Sequence, residues 1–402
     1  MAEVLRKYLK GDKIVWGILF AFCIISLLAV YSSTGTLAFK YQEGNTAYYI
    51  LRHLSYMTIG LIVVFITHLI PFRYYSRLSQ IFLFISVPLL LLTLVMGTSL
   101  NQASRWLTLP GLGLTIQTSD FAKLSLIMYL ARMLSLKQDT IKDFKKTFIP
   151  TIIPVIIVCV LILPANLSTA LMIFIVSIIL MFIGRISIKH ISLLGLVGIL
   201  GMTLFILIAP YLHLDGRLKT WKNRIENYIS GDEDEDNFQA EQSKIAIATG
   251  GVLGKGPGNS TERNFLPHPY SDFIYAIIIE EYGLIGGVVV IVLYLVLLFR
   301  AGVIVRKCDR TFPAFLVIGL VVSLVFQAMI NMAVAVNIFP VTGQTLPFIS
   351  MGGSSLLFSG TTFGIILSVS RSVGKPENEE NNKVANEEEN TKINEQEEES
   401  DH

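Results

Sequence analysis

Three stretches of this 402-residue chain hold side chains able to do chemistry. The first places Arg105 and Trp106 before Gln117, Asp120 and Lys123; the last three are spaced i, i+3, i+6 and share one stripe of a helix. Asp120 and Lys123 make either a structural ion pair or the polar wall of a cavity. In the second case Lys123, near the first helical turn, would meet an anionic substrate, and the helix N-terminus would favour a phosphate. The second stretch reads Phe-Leu-Pro-His-Pro-Tyr-Ser-Asp-Phe-Ile-Tyr (265–275), then Glu280 and Glu281. Asp272 comes directly before an apolar run. It is either a helix N-cap, a position that favours Asp, or a carboxylate placed to take a proton from a sugar hydroxyl. Glu280 and Glu281 are two turns deeper and point about 100° apart. One at most faces the cavity of Asp272, and the other is expected to bond a neighbouring helix. The third stretch, 337–355, has two prolines, three glycines, Gln344, Ser350, Ser354 and Ser355, and no basic residue. It reads as a plain loop or as broken backbone lining a cavity, with Ser354 and Ser355 capping the last helix or holding a phosphate.

The glycine run at 250–258 invites a phosphate-loop reading and fails it. That pattern requires Gly six residues before the Lys, where this chain has Thr249, and Gly256 follows Lys255 instead of Ser or Thr. Most of these glycines read as turns.

These residues need a membrane to position them. The chain is 52% hydrophobic and 15% charged, well below the charged quarter of a soluble domain. Helical spans of roughly 20 apolar residues are expected near 14–34, 47–70, 77–97, 118–136, 148–164, 166–184, 190–211, 273–299, 312–337 and 353–372. The fold class is therefore all-α, a polytopic bundle of about ten transmembrane helices. The fifth and sixth spans are separated by 163–166 alone, a tight turn or a partly re-entrant element. Lys and Arg concentrate in alternate short loops, from Arg6 through Lys146 to Arg371, whereas the other short loops and their margins hold Lys40, Arg52 and Arg105. This bias predicts cytoplasmic termini and puts the long loop 212–272 outside. Residues 1–13 read as a cytoplasmic segment and 14–374 as the membrane domain. Residues 375–402, rich in Glu and Asn, read as a disordered acidic cytoplasmic tail. The net charge of +2 is thus a cancellation, and nothing points to nucleic acid. The run Asp232–Asp236 reads as a solvated tip. Cys23, Cys159 and Cys308 have neither metal nor disulfide spacing, and no metal site is predicted.

Several motifs taken together resemble the SEDS family of shape, elongation, division and sporulation proteins. They are Ile-Gln-Thr-Ser-Asp-Phe-Ala-Lys (116–123), Gly-Gly-Val-Leu-Gly-Lys-Gly (250–256), Leu-Pro-His-Pro-Tyr-Ser-Asp-Phe-Ile-Tyr (266–275), Glu-Glu-Tyr-Gly-Leu-Ile-Gly (280–286) and the proline- and glycine-rich run 340–355. Trp-Lys-Asn-Arg-Ile-Glu-Asn (221–227) makes the division-type branch look closer than the elongation type. The chain departs from the family pattern at Thr118, at His268 and across 163–170, and none of these departures touches Asp272.

The resemblance implies a peptidoglycan glycosyltransferase of the bacterial inner membrane, at the division septum. It would polymerise lipid II on the outer face and work with a class B penicillin-binding transpeptidase and other divisome proteins. Asp272 matches the family's essential acid, and Asp120 and Lys123 match its polar pair in the fourth span. Asp272 is then expected as general base. Lys123, Arg105 and Arg52 are expected on the pyrophosphate, and Gln117, Asp120, Glu280, Gln344, Ser350, Ser354 and Ser355 around the substrate. A divalent cation (Mg or Mn) would assist, though no ligand cluster in the sequence demonstrates one. The rival is a lipid II flippase without chemistry, and a scaffold acting through the tail is a third reading.

Overall fold

The computed structural model describes residues 10–35, 37, 39, 43, 45–96, 98–100, 103–108, 115–208, 235–266 and 269–373. Ten helices lie where spans are expected: α1 (Lys13–Ser33), α2 (Thr46–Leu69), α3 (Phe72–Met96), α4 (Thr118–Leu136), α5 (Ile149–Ile162), α6 (Leu167–Ile183), α7 (Ile188–Ile208), α9 (Ile274–Arg306), α10 (Thr311–Ala335) and α11 (Gly353–Ser372). Among the described residues, seven helical segments are long and apolar enough to cross a membrane; α4 is more polar and α6 is shorter. Two elements were not anticipated. A small antiparallel sheet, β1 (Thr98–Leu100), β2 (Ala103–Thr108) and β3 (Thr115–Gln117), leads into α4 and sets Trp106 opposite Gln117. A further helix, α8 (Glu235–Gly250), packs on α9. The tail 375–402, the run 232–234 and the motif 221–227 lie outside the described residues.

The bundle has a measurable thickness. Asp12 caps α1, accepting from the Ile14 and Val15 amides at 2.9 and 3.2 Å, and its second oxygen accepts from Arg300 Nε at 2.7 Å. At the other end of α1, the Ser32 hydroxyl donates to the Glu281 carboxylate, and Arg263 Nη1 donates to the Ser32 carbonyl at 2.9 Å. The two clamps are 20 residues apart on α1 and 19 on α9. At 1.5 Å per residue this is about 30 Å, the hydrocarbon thickness of a bilayer.

Antiparallel neighbours sort the polar residues by end. The starts of α2, α4, α6, α9 and α11 and the finish of α10 meet at the end carrying Asp272. The opposite end carries the basic residues, with Arg73, Arg77, Arg132 and Arg310 lining one groove. Helices α2 and α11 approach closely through glycine: a Cβ on Gly360 would stand 2.7 Å from the Gly60 carbonyl oxygen.

Between the two ends, aromatic rings from α1, α9, α11 and the segment before it pack in the core. Phe22 meets Tyr294 and Phe363 at centroid distances of 4.7 and 6.2 Å, and Phe348 meets Phe363 at 5.5 Å. All four side chains are buried.

Candidate functional site

Two amides on α10 join the three stretches. Gln327 Oε1 accepts from Lys123 Nζ at 2.6 Å, and its Nε2 donates to the Thr345 carbonyl at 2.9 Å. One turn later, Asn331 Nδ2 donates to the Asp272 carbonyl at 2.8 Å and to the Gln344 carbonyl at 2.7 Å. Four residues of helix rise about 6 Å, so the mounts of Asp272 and Lys123 lie one helical turn apart. Neither amide was singled out in the sequence. The signal available was two polar residues four apart in an otherwise apolar run, which puts both on one helical face.

Lys123 also donates to Asp120 Oδ1 at 3.2 Å. An ammonium has three hydrogens; Asp120 and Gln327 take two, and one remains for an anion. Asp120, Lys123, Gln327 and Ser355 line a cleft of about 360 Å³ with Ser359 and Thr362.

Asp272 is half-buried. The capping position of α9 belongs to Phe273, so the N-cap alternative for Asp272 is not what the fold uses. Its carboxylate accepts from the Ser271 hydroxyl at 2.8 Å. Its backbone is held on three sides. Asn331 holds the carbonyl, Ser350 Oγ donates to the Ser271 carbonyl at 2.6 Å, and the Met351 amide donates to the Tyr270 carbonyl at 2.9 Å.

The segment 344–351 is not a plain surface loop. Leu346, Phe348, Ile349 and Ser350 are buried. Ser26, in the middle of α1, donates to the Ile349 carbonyl at 2.8 Å, and the Tyr294 hydroxyl donates to the Pro347 carbonyl. Non-helical backbone at membrane depth persists where protein satisfies its carbonyls, and these two side chains do so.

Glu280 and Glu281 serve another structure. Glu280 is fully buried and accepts from Lys255 Nζ at 2.6 Å, from the Thr261 amide and hydroxyl at 3.0 Å each, and from the Ser260 hydroxyl. Glu281 accepts from Ser32 and from the Ser260 amide at 3.3 Å. Helix α9 breaks at Gly283 (φ 70°, ψ −174°). The glycine turn docks into the break: the amides of Lys255 and Gly256 donate to the carbonyls of Glu280 and Glu281 at 2.9 Å. A Cβ on Gly254 would stand 2.2 Å from the Glu281 carbonyl oxygen, so only glycine fits. The glycine run is a turn, as expected, and its purpose is this docking.

The family model described as cell cycle protein, which covers FtsW, RodA and SpoVE, matches residues 12–375. The chain belongs to the FtsW/RodA/SpoVE family. It is 35% identical over 354 residues to stage V sporulation protein E of Bacillus subtilis strain 168, covering 86% of this chain and 93% of that protein. It is 34% identical over 380 residues to the probable peptidoglycan glycosyltransferase FtsW of Trichlorobacter lovleyi, covering 92% and 96%. Among solved structures it is similar to a chain of a peptidoglycan synthase complex in which polymerization and crosslinking are coordinated (TM-score 0.69, 25% identity, 91% of this chain and 99% of that one). It also shares its fold with Thermus thermophilus RodA (TM-score 0.66, 24% identity, 91% and 98%).

This FtsW/RodA/SpoVE chain brings some expected residues together and separates others. Asp120, Lys123 and Ser355 share the cleft. Gln344 and Ser350 are struts: Gln344 Nε2 donates to Thr169 Oγ1 at 2.6 Å, and Ser350 Oγ accepts the Leu346 amide at 2.8 Å. Gln117 sits at the start of α4 and donates to Ser119 Oγ at 3.1 Å. Arg52 is exposed, lies over the Tyr56 ring and donates to its hydroxyl at 3.1 Å. That ring abuts Gly353 at the start of α11. Arg105 belongs to β2, and its side chain lies outside the described set, as does His268.

Two expectations are corrected. Glu280 was expected at the substrate, but its carboxylate is saturated by Lys255, Ser260 and Thr261, which the docking of the glycine turn at the Gly283 break brings against it. The cap of α11 is Gly352, so neither Ser354 nor Ser355 supplies it.

No three His, Cys, Asp or Glu side chains converge in metal-binding fashion among the described residues. Cys308, beyond the end of α9, has its thiol pushed up to about 11 by burial and is protonated at neutral pH.

Proposed function

We propose that this chain is a peptidoglycan glycosyltransferase that polymerises lipid II on the outer face of the bacterial cytoplasmic membrane during cell division, with Asp272 as general base. One observation carries the reading: Asn331 and Gln327 set the mount of Asp272 one helical turn from the Lys123–Asp120 cleft. In the reaction, the sugar 4-hydroxyl of one lipid-linked disaccharide attacks the anomeric carbon of another. The bond from that carbon to the pyrophosphate oxygen breaks, the lipid pyrophosphate leaves, and the hydroxyl proton passes to the Asp272 carboxylate. Lys123 contributes its remaining hydrogen to the pyrophosphate. Arg52, beside the start of α11, is the second cation for it, and Arg105, one residue before Trp106 in β2, is the third.

The bias of Lys and Arg toward the other end supports an outward orientation for the Asp272 end. A class B penicillin-binding transpeptidase is the proposed partner, consistent with the likeness to a peptidoglycan synthase complex chain. The proposed place is the division septum, with other divisome proteins as further partners; the relatives named FtsW support this reading.

A flippase needs a path between the two ends, and the packed rings of Phe22, Tyr294, Phe348 and Phe363 weigh against one through this part of the core.

The test is polymerisation of purified lipid II by wild type and by Asp272→Ala, each with its transpeptidase. The proposal expects no glycan strands from the variant. Strands made by a well-folded Asp272→Ala protein would refute the base assignment.

A further inference from the structure

A second cleft lies on the other side of α4 from Lys123, at the same end of the bundle. It is a narrow cleft between the last turns of α3, the start of α4 and the turn joining α5 to α6. Leu90 and Ile162 form apolar walls, and Thr93, Thr118, Ser119 and Asn166 supply polar atoms. Among the described residues its lining is uncharged, in contrast to the Asp120–Lys123 cleft.

Asn166 is 3% exposed. Its Oδ1 caps α6 by accepting the Thr169 amide at 3.3 Å. That bond fixes which way the side-chain amide faces and leaves the NH₂ group as the surplus end. Nδ2 is buried and has no hydrogen-bond partner in the protein. A buried amide donor without a partner is costly and calls for an acceptor. The hydroxyls of Thr93 and Thr118 already bond each other at 2.9 Å, and Ser119 accepts from Gln117, so these neighbours are engaged elsewhere. Beside the cleft, Leu91 and Val95 on α3 and Val160 on α5 are exposed apolar side chains at the bundle surface. Such a surface faces hydrocarbon in a membrane protein.

We infer that this cleft is a lateral binding site for the uncharged, oxygen-bearing junction of a membrane amphiphile, with Asn166 Nδ2 donating to a neutral acceptor such as an ester, acetamido or hydroxyl oxygen. The uncharged described lining suits a neutral group, and the pyrophosphate is left to Lys123. Two sources offer the chemistry: a bilayer phospholipid through its ester carbonyl, or a lipid-linked sugar through its acetamido or hydroxyl oxygens. Binding here is read directly and is independent of whether Asp272 acts as a base.

Asn166→Asp separates capping from donation, because Asp retains the cap and loses the NH₂. The measurement is native mass spectrometry of the full chain titrated separately with phosphatidylglycerol and with lipid II, alongside thermal melting. Asn166→Asp, which buries a carboxylate in place of the amide, is expected to stay folded with a lowered melting point and to bind one of the two probes about tenfold more weakly, the magnitude of one lost hydrogen bond. The probe affected identifies the source. Ala165→Phe, which fills the cleft from its half-exposed rim, is expected to weaken the same probe. Unchanged binding of both probes by both variants would overturn the inference, as would density for a lone water on Asn166 Nδ2 with both probes bound elsewhere.

Discussion

Asp272 and Glu280 stand eight residues apart at the entrance of one helix, and their surroundings are opposite. Glu280 is sealed, with its charge met by an ammonium, two hydroxyls and a backbone amide. Asp272 is half-buried, and the bonds that place it run largely through its backbone and that of Tyr270 and Ser271. A carboxylate that must accept a proton needs its position fixed from behind while its oxygens meet the substrate. A carboxylate that pins a loop needs the reverse. Under the proposed mechanism the difference separates a reactive acid from a structural one, although both precede or open an apolar run and look alike in sequence.

The largest expected effect on stability is at the structural acid. Glu280→Ala strands Lys255 and three hydroxyl or amide donors beside a buried hole; breaking a buried pair costs about 3 kcal/mol or more. Lys255 is 26% exposed, which keeps the figure at the lower end. Thermal melting in detergent should show the loss, and normal melting with lost polymerisation would erase the distinction from Asp272.

Gly254→Ala should come next, at about 1–3 kcal/mol for forcing a methyl group against the Glu281 carbonyl, read in the same melt. Gln327→Leu strands Lys123 and the Thr345 carbonyl, which should cost about 1–2 kcal/mol in the melt and lower polymerisation roughly tenfold; a full-activity variant would detach α10 from the site. Smallest is Arg300→Met at the far clamp. Its ion pair with Asp12 is one-quarter exposed on the arginine side, and such pairs contribute about 1 kcal/mol or less. Activity should persist there, which would confine the chemistry to the opposite end.

The helices were legible in sequence because twenty-residue apolar runs have one solution in a bilayer. So were the Asp120–Lys123 pair, from its i, i+3 spacing, and the broken segment before α11, from its prolines and glycines. The sheet β1–β3 was not: strands of three and six residues carry too little periodicity to stand out beside long apolar spans. Helix α8 was hidden for a related reason, since its sequence has almost no sidedness and its place is set by packing on α9. Gln327 and Asn331 could be located on one face, but their partners at Lys123, Thr345, Asp272 and Gln344 come from three other elements. The fate of Glu280 depended on the break at Gly283, a backbone feature that a helical wheel omits.

The central claim is that Asp272 is reactive and not architectural. Its most direct test is lipid II polymerisation by Asp272→Asn, reconstituted with its transpeptidase, with melting measured on the same sample. The account predicts wild-type melting and a rate lower by about 100-fold or more, the usual contribution of a general base. Wild-type polymerisation by that variant would contradict it.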